Sequence, residues 1–227
     1  SSIPLFIGFV KGGIPLGVTF AFLITSPLVN EVAVAMFLGT FGWQVTVIYV
    51  ACGIVMGMVG GFVLGKLKLE RYLSPWIFQM QRMQMQADEA FEAEHTSITK
   101  DALGIVRGVI LYVLLGIAIG AAIHGYVPEY FFADFMQKAG LLGVPASVLI
   151  AVPMYANAAG IVPVVEVFVA KGIPLGTALA FMMSVVGLSL PEATMLKKVM
   201  TWRLIGIFFG TVAFMIMILG WTFNQIL

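Results

Sequence analysis

The residues of this sequence that could carry chemistry are mostly carboxylates and amides placed beside breaks in short apolar segments. Asn30 and Glu31 follow one such segment in SPLVNEVA, and Glu192 follows another in SLPEA. Burying a carboxylate within a membrane is costly, so a carboxylate there is by default a functional hypothesis. We expect Glu31 to couple proton movement to a second process if burial favours its neutral form. A carboxylate at the membrane interface is the alternative.

Further polar residues extend this candidate site. Tyr155 and Asn157 lie in PMYANAAG, where small neighbours let backbones approach closely, so Asn157 either contacts a substrate or ties helices together. Glu166 lies inside the apolar run 162–170 and is either functional or paired with a basic or backbone group. The residues predicted to bind substrate or ion are Ser26, Pro27, Asn30, Glu31, Tyr155, Asn157, Glu166, Ser189, Pro191 and Glu192.

Residue types that support catalysis or metal binding are scarce. His95 follows Asp88 and Glu92 at helical spacing, which suits a solvated acidic helix better than a metal site, and His124 ends an apolar run. Cys52 is the single cysteine, which excludes an intramolecular disulfide and a multi-cysteine metal site. The sequence contains no H-E-x-x-H, phosphate-binding glycine loop or G-x-S-x-G motif. We therefore predict no catalytic residue, no metal and no cofactor, and a protein that is not an enzyme.

The composition indicates which elements must position these residues. The 227 residues are 61% hydrophobic and 10% charged, with a mean hydropathy of +1.05. Soluble domains are about 45–50% apolar and about 25% charged, so a soluble or disordered chain is excluded. The net charge of +1 gives no nucleic-acid footprint. Because the apolar runs are continuous, we predict an all-α polytopic membrane protein embedded in a lipid bilayer.

The apolar runs differ in length. A helix that crosses the bilayer needs about 20 apolar residues. The runs that reach this length are 43–65, 104–124 and 202–227. Shorter runs end at glycine, proline, serine or lysine and cannot span alone; they are 3–10, 15–25, 141–152, 162–170 and 174–187.

One long polar stretch separates the apolar runs. It covers 66–103 and carries a group of basic residues that includes Lys66 and Arg71. Cytoplasmic loops are enriched in lysine and arginine, so we predict a cytoplasmic loop of a protein in the inner (plasma) membrane. Helix-forming residues at 72–95 predict an amphipathic helix in this loop. A second interfacial segment is predicted at 126–138.

An internal repeat is present. GIPLG occurs at 13–17 and again 159 residues later, at 172–176. At the same offset, without gaps, Trp43 aligns with Trp202. Each copy begins with a short apolar arm, a glycine-proline turn and a second arm. This pattern predicts a re-entrant helical hairpin in each copy.

The orientation of the two copies follows from charge. The first long helix ends near Lys66, and the second begins beside Lys197 and Lys198. If these charges are cytoplasmic, the two copies run in opposite directions and form inverted-topology repeats, a common architecture of secondary transporters. The predicted divisions are 1–65 (repeat 1), 66–103 (cytoplasmic loop), 104–159 (connecting transmembrane and interfacial segments) and 160–227 (repeat 2).

Glycines at four-residue spacing form small faces on the long helices. Gly53, Gly57, Gly61 and Gly65 are one such series. Small faces let helices approach closely. We expect them to pack within the chain, with a homodimer interface as the alternative.

The two hairpin blocks carry a family resemblance. SSIPLFIGFVKGGIPLGVTFAFLITSPLVNEVA and PMYANAAGIVPVVEVFVAKGIPLGTALAFMMS resemble the predicted-permease family that includes the ArsP-type organoarsenical efflux permeases. The similarity extends over most of the chain. It implies a polytopic inner-membrane permease and, for the characterised members, export of trivalent organoarsenicals.

One element of that family is missing from this sequence. Members typically carry Cys-x-Cys just before the block equivalent to 1–5, whereas this sequence opens at Ser1. Those cysteines are absent or lie upstream of Ser1, so a thiol-based metalloid site is not carried over. Because the sequence does not start with Met and opens directly on apolar residues, we expect a fragment or a processed product.

Together these features predict a secondary transporter. We expect efflux of a small solute, such as an organoarsenical or another thiophilic metalloid species, by alternating access between two repeats. The alternatives are a membrane-embedded enzyme and a structural subunit of a larger membrane complex.

Overall fold

The computed structural model describes residues 2–75, 77–79 and 140–226. The predicted span at 104–124, the interfacial segment at 126–138, both histidines and most of the 66–103 loop lie outside these ranges. The described backbone is helical apart from its turns and one isolated antiparallel bridge between Leu73 and Met200.

The described helices follow one another with short connections. They are α1 (Ile3–Lys11), α2 (Leu16–Leu28), α3 (Glu31–Lys66), α4 (Gly143–Ala151), α5 (Ala158–Ala170), α6 (Leu175–Gly187), α7 (Leu190–Leu196) and α8 (Trp202–Ile226). Short 3-10 turns occupy Leu69–Tyr72 and Gly140–Leu142.

Within the described ranges, three helical stretches are long and apolar enough to cross a membrane: Glu31–Lys66, Leu175–Leu196 and Trp202–Ile226. The predicted spans at 43–65 and 202–227 lie in the first and the third. The first begins earlier than predicted and changes direction at Gly42, whose φ of 80° is not helical. The second joins α6 to α7 across a break at Ser189, which makes it longer than the run at 174–187 suggested.

The two sequence repeats begin with the same helical turn. We call α1 with α2 hairpin 1, and α5 with α6 hairpin 2. Gly13 and Gly172 occupy equivalent positions with φ of 74° and 86°, which glycine adopts without steric cost. In each turn an isoleucine N–H donates to the oxygen of a phenylalanine five residues earlier, at 3.0 and 3.1 Å. The shared GIPLG sequence therefore produces the same local backbone twice.

Each hairpin packs on a long helix through glycine. Gly17 of hairpin 1 lies against Gly61 and Gly65 of α3, where a Cβ built on Gly61 would lie 2.5 Å from the Gly17 oxygen. In the second copy, Gly176 lies against Gly220 and Asn224 of α8. Each of these positions is 159 residues from its counterpart. The sequence repeat is thus matched by equivalent contacts.

The glycine series of α3 faces α2 within the chain. A Cβ on Gly53 would meet the Val29 side chain, and one on Gly57 would meet Thr25. This face is therefore occupied by intramolecular packing.

The two hairpin turns lie near different ends of α8. Tyr72 and Ser74, just after α3, are hydrogen-bonded to Thr201 and Val199, just before α8, at 2.8 to 3.0 Å. The end of α3 therefore lies beside the start of α8. The turn of hairpin 1 packs at the end of α3, whereas the turn of hairpin 2 packs near the end of α8.

The core centres on α6. Its residues 176–185 are all buried, and Phe181 contacts Phe168 of α5 at 5.3 Å between ring centroids. In contrast, α3 and α8 expose large apolar side chains such as Phe62, Trp202 and Phe214, each more than half exposed. An apolar outer surface of this kind suits contact with lipid chains.

We expect Gly61→Ala to destabilise the protein by about 1–3 kcal/mol, because the new methyl group would overlap the backbone of α2. Gly206→Ala is the matched control, since nothing lies within 4 Å of a Cβ at that exposed position of α8. Alanine there stabilises the helix by up to about 1 kcal/mol. Thermal unfolding in detergent micelles measures both. Equal unfolding temperatures for the two variants would contradict the close approach of α2 and α3.

Candidate functional site

A cavity of about 390 Å³ lies where the open ends of the two hairpins meet. Hairpin 1 contributes the start of α1 and the end of α2, and hairpin 2 contributes the start of α5 and the end of α6. The first turn of α7 completes the wall. Of the residues predicted to bind substrate or ion, the structure brings Ser26, Pro27, Asn30, Tyr155, Asn157 and Glu192 to this cavity.

The break between α2 and α3 is held by Asn30. Pro27 lies inside α2 and has no N–H to donate to the preceding turn, which favours the end of the helix. The Asn30 Oδ1 accepts a hydrogen bond from Ala33 N at 2.9 Å, and its Nδ2 donates to Pro27 O at 3.1 Å. One side chain thus caps the start of α3 and fastens it to the end of α2.

A buried tyrosine supplies a hydrogen bond to the last carbonyl group of α2. The Tyr49 hydroxyl donates to Leu28 O at 2.9 Å, and its ring stacks on Phe37 with a centroid distance of 4.5 Å. A buried carbonyl without a partner costs about 1–3 kcal/mol. The residue that supplies this bond was not among the predicted site residues, since an apolar run around one tyrosine gives no signal of it.

The second copy also has side chains that cap the starts of its helices, but the residues differ. Ser189, 159 residues after Asn30, accepts a hydrogen bond from Glu192 N on its Oγ at 3.3 Å and caps α7. Asn157 caps α5, because its Oδ1 accepts from Gly160 N at 2.8 Å. Serine and asparagine are preferred at helix starts for this hydrogen bond. The caps fix the backbone around the cavity.

Glu192 is the only acidic or basic side chain in the described lining of the cavity. It is 5% exposed, and its Oε2 has no hydrogen-bond partner in the described structure. The residue at its matched position in repeat 1 is Ala33, which is also buried. The counterpart of Glu31 is the exposed Leu190. The two carboxylates that follow the hairpins are therefore not equivalent.

The other predicted residues lie outside the cavity lining. Glu31 is exposed in the first turn of α3, and Glu166 is exposed on α5. The helical period explains the exposure of Glu166, because the buried residues of α5 include Ile161, Val165 and Phe168 on another face. Ser189 is fully buried, and neither it nor Pro191, two residues later, is in the described lining.

Sequence reasoning also missed part of the wall. These residues are mainly apolar or small: Ser2, Ile3, Leu5, Ala156, Ala158, Val186 and Met195. Their types are common to the whole chain, so only the meeting of the hairpins identifies them.

The chemistry available is that of binding. Within the described ranges, no three histidine, cysteine, aspartate or glutamate side chains are grouped closely enough to hold a metal ion. The cavity offers hydroxyl groups from Ser26 and Tyr155, one carboxyl group and apolar surface. A pocket of this size and mixture accommodates a small molecule.

Comparison with protein-family models identifies a related family. The family model ArsP_1, described as a predicted permease, matches residues 1–225. Neither the curated proteins nor the solved structures contain a significant match.

We expect a cysteine introduced at the cavity to react with a small polar thiol reagent. In a Cys52→Ser background, which removes the single native cysteine, Ser26→Cys places a thiol in the lining. Ser184→Cys is the matched control, because Ser184 is fully buried in α6. Labelling followed by mass spectrometry should modify the first variant much faster than the second. Equal rates would show that the cavity does not admit polar molecules.

Proposed function

The chain belongs to the ArsP_1 family of predicted permeases, and from this premise we propose that it is a secondary transporter that works by alternating access at the cavity between the hairpins. As a member of this family with several long apolar helices, it is a multi-pass membrane permease. The observation that carries the proposal is the meeting of two repeated, interrupted helix pairs at one polar cavity.

Interrupted helices support this location for transport. A break at membrane depth leaves backbone N–H and C=O groups without helical partners, which is tolerated only inside protein or beside a water-filled cavity. In transporters, paired breaks of this kind mark the substrate site. Here the break between α2 and α3 lies beside the cavity, and so does the break between α6 and α7.

We further propose that the two copies are inverted in the membrane and that the hairpins are re-entrant. The matched glycine contacts support a two-fold repeat. The end of α3 lies beside the start of α8, which supports opposite directions for these two equivalent helices. Exposed Lys66 and Lys197 lie at this end, so it is the proposed cytoplasmic side.

The proposed cargo is a small trivalent organoarsenical or another thiophilic metalloid species, moved outward. The resemblance of the hairpin blocks to the organoarsenical efflux permeases supports this class. The volume of the cavity suits a solute of this size. We propose that Ser26, Asn30, Tyr155, Asn157 and Glu192 surround it during transport.

We expect the transport of methylarsenite into inside-out proteoliposomes to depend on open space in the cavity. Ala156 lines the cavity, and Ala156→Trp should reduce uptake to the level of empty vesicles. Ala159→Trp is the matched control, because Ala159 is exposed three positions later and does not line the cavity. Uptake is measured as arsenic retained by the vesicles. Equal uptake by both variants would refute the cavity as the route, and no uptake by the wild type would refute the cargo.

The inverted repeat predicts the sidedness of three introduced cysteines. In the Cys52→Ser background, Lys66→Cys and Lys197→Cys should react with a membrane-impermeant reagent from the same side. Gln225→Cys, exposed at the end of α8, should react from the opposite side. Labelling of intact spheroplasts and of inverted vesicles distinguishes the sides. Reaction of the two lysine positions from opposite sides would eliminate the inverted arrangement.

A further inference from the structure

Glu192 has surroundings that structural packing alone does not explain. Its side chain is almost fully buried, yet it forms part of the cavity wall and its Oε2 has no partner in the described structure. Burying an ionised carboxylate without a positive partner is very costly, and burying even a neutral polar group without a hydrogen bond carries a penalty. A group that enters the cavity could supply the partner that the described residues do not.

Among the described residues, the elements around the cavity offer no permanent positive partner. Helices α2, α4 and α6 contain no titratable side chain, and Tyr155 is the only other titratable group in the part of the lining that the structure describes. On the elements nearby, Glu31 and Glu166 are exposed elsewhere, and Lys11 lies at the far end of α1.

The lysines of the segment after α7 also lie away from the cavity. Lys197 is exposed, with its Nζ 5.4 Å from the centre of the Trp202 ring. Lys198 does not line the cavity.

The two amide oxygens of the cavity wall are already engaged, which favours a proton over a metal cation at Glu192. A bound metal cation needs several oxygen ligands around it. The amide oxygens of Asn30 and Asn157 already accept hydrogen bonds from Ala33 N and Gly160 N. A proton neutralises a carboxylate without any further ligands.

We propose that Glu192 is the coupling group of the transport cycle and exchanges a proton for the solute. In the empty cavity Oε2 carries a proton. When a solute that bears a positive charge or a hydrogen-bond donor reaches Oε2, the O–H bond breaks, the electron pair stays on the oxygen, and the proton passes to water in the cavity. Release of the solute reverses the step. This inference rests on the proposed transport function.

The repeat sets the number of protons. The position matched to Glu192 in the first copy is Ala33, which cannot titrate. Ser189 holds the backbone of Glu192 through its hydrogen bond to Glu192 N. The pseudo-symmetric centre thus contains a single exchanging group, and one proton moves for each solute.

Infrared spectroscopy of the full chain in lipid nanodiscs tests the protonation step without any solute. The carboxylic-acid C=O band of wild type should disappear as the pH is raised, and Glu192→Gln should lack this titrating band. Glu192→Asp should retain a titrating band at a shifted frequency. This would show that the loss of the band in Glu192→Gln comes from the loss of the carboxyl group and not from misfolding. Glu70→Gln, at an exposed carboxylate outside the cavity, should leave the band unchanged. A band that persists in Glu192→Gln overturns the proposal.

Methylarsenite then tests the exchange. Its addition to weakly buffered wild type should release a single proton per chain, detected with a pH dye, and Glu192→Gln should release none. A pH gradient should drive uptake into proteoliposomes of the wild type and of Glu70→Gln but not of Glu192→Gln. If wild-type transport does not depend on the pH gradient, the proton coupling is refuted while the proposed transport function stands. A titrating Glu192 band without transport of methylarsenite refutes the proposed cargo instead.

Discussion

The structure depends on one constraint, the need to satisfy backbone hydrogen bonds where helices are interrupted in an apolar setting. Several polar side chains of the hairpins and of the helices that follow them serve that need. Asn30 and Ser189 cap the helices that follow the hairpins, Asn157 caps the helix that opens hairpin 2, and Tyr49 donates to the last carbonyl of α2. Because these side chains replace water as partners, the helices can stop and restart around a cavity while these backbone groups stay hydrogen-bonded. The cavity follows from these breaks.

The two copies share the same helical turn and helix caps, but they differ in the side chains at some matched positions. Asn30 and Ser189 each cap the helix that follows a hairpin, although their side chains differ. By contrast, Gly65 of the first copy is matched by Asn224, which accepts from Thr177 N and donates to Thr177 Oγ1, both at 3.0 Å. Ala33 is matched by Glu192. The two copies therefore share equivalent backbone contacts, while different side chains at matched positions make them chemically unequal.

The sequence predicts the repeated parts well because glycine and proline act locally. The turns at Gly13 and Gly172 require positive φ, so GIPLG identifies both hairpins directly, and the family resemblance drawn from these blocks is confirmed by the match over residues 1–225. The capping positions Asn30 and Ser189 could also be aligned from the offset alone. The run at 174–187 was predicted to be too short to cross a membrane alone, whereas the helical stretch continues past its break into α7 and is long enough.

The site could be predicted only in part, because burial depends on which helix face packs inward. Glu31 and Glu192 look alike in the sequence, but one begins a helix at an exposed position and the other forms a cavity wall. The apolar lining residues carry no chemical signal at all. Their placement arises from the docking of two hairpins that are far apart in the chain.

The glycine contact between α2 and α3 also limits how this protein can change. In an ordinary core, a larger residue on one helix is accommodated by a smaller one on its neighbour, so total volume is kept. Gly17 and Gly61 already have the smallest side chain on both sides. No compensating exchange is left to either position, and the distance between the two helices is fixed by the backbone itself. A larger side chain at either position would therefore have to push the two helices apart.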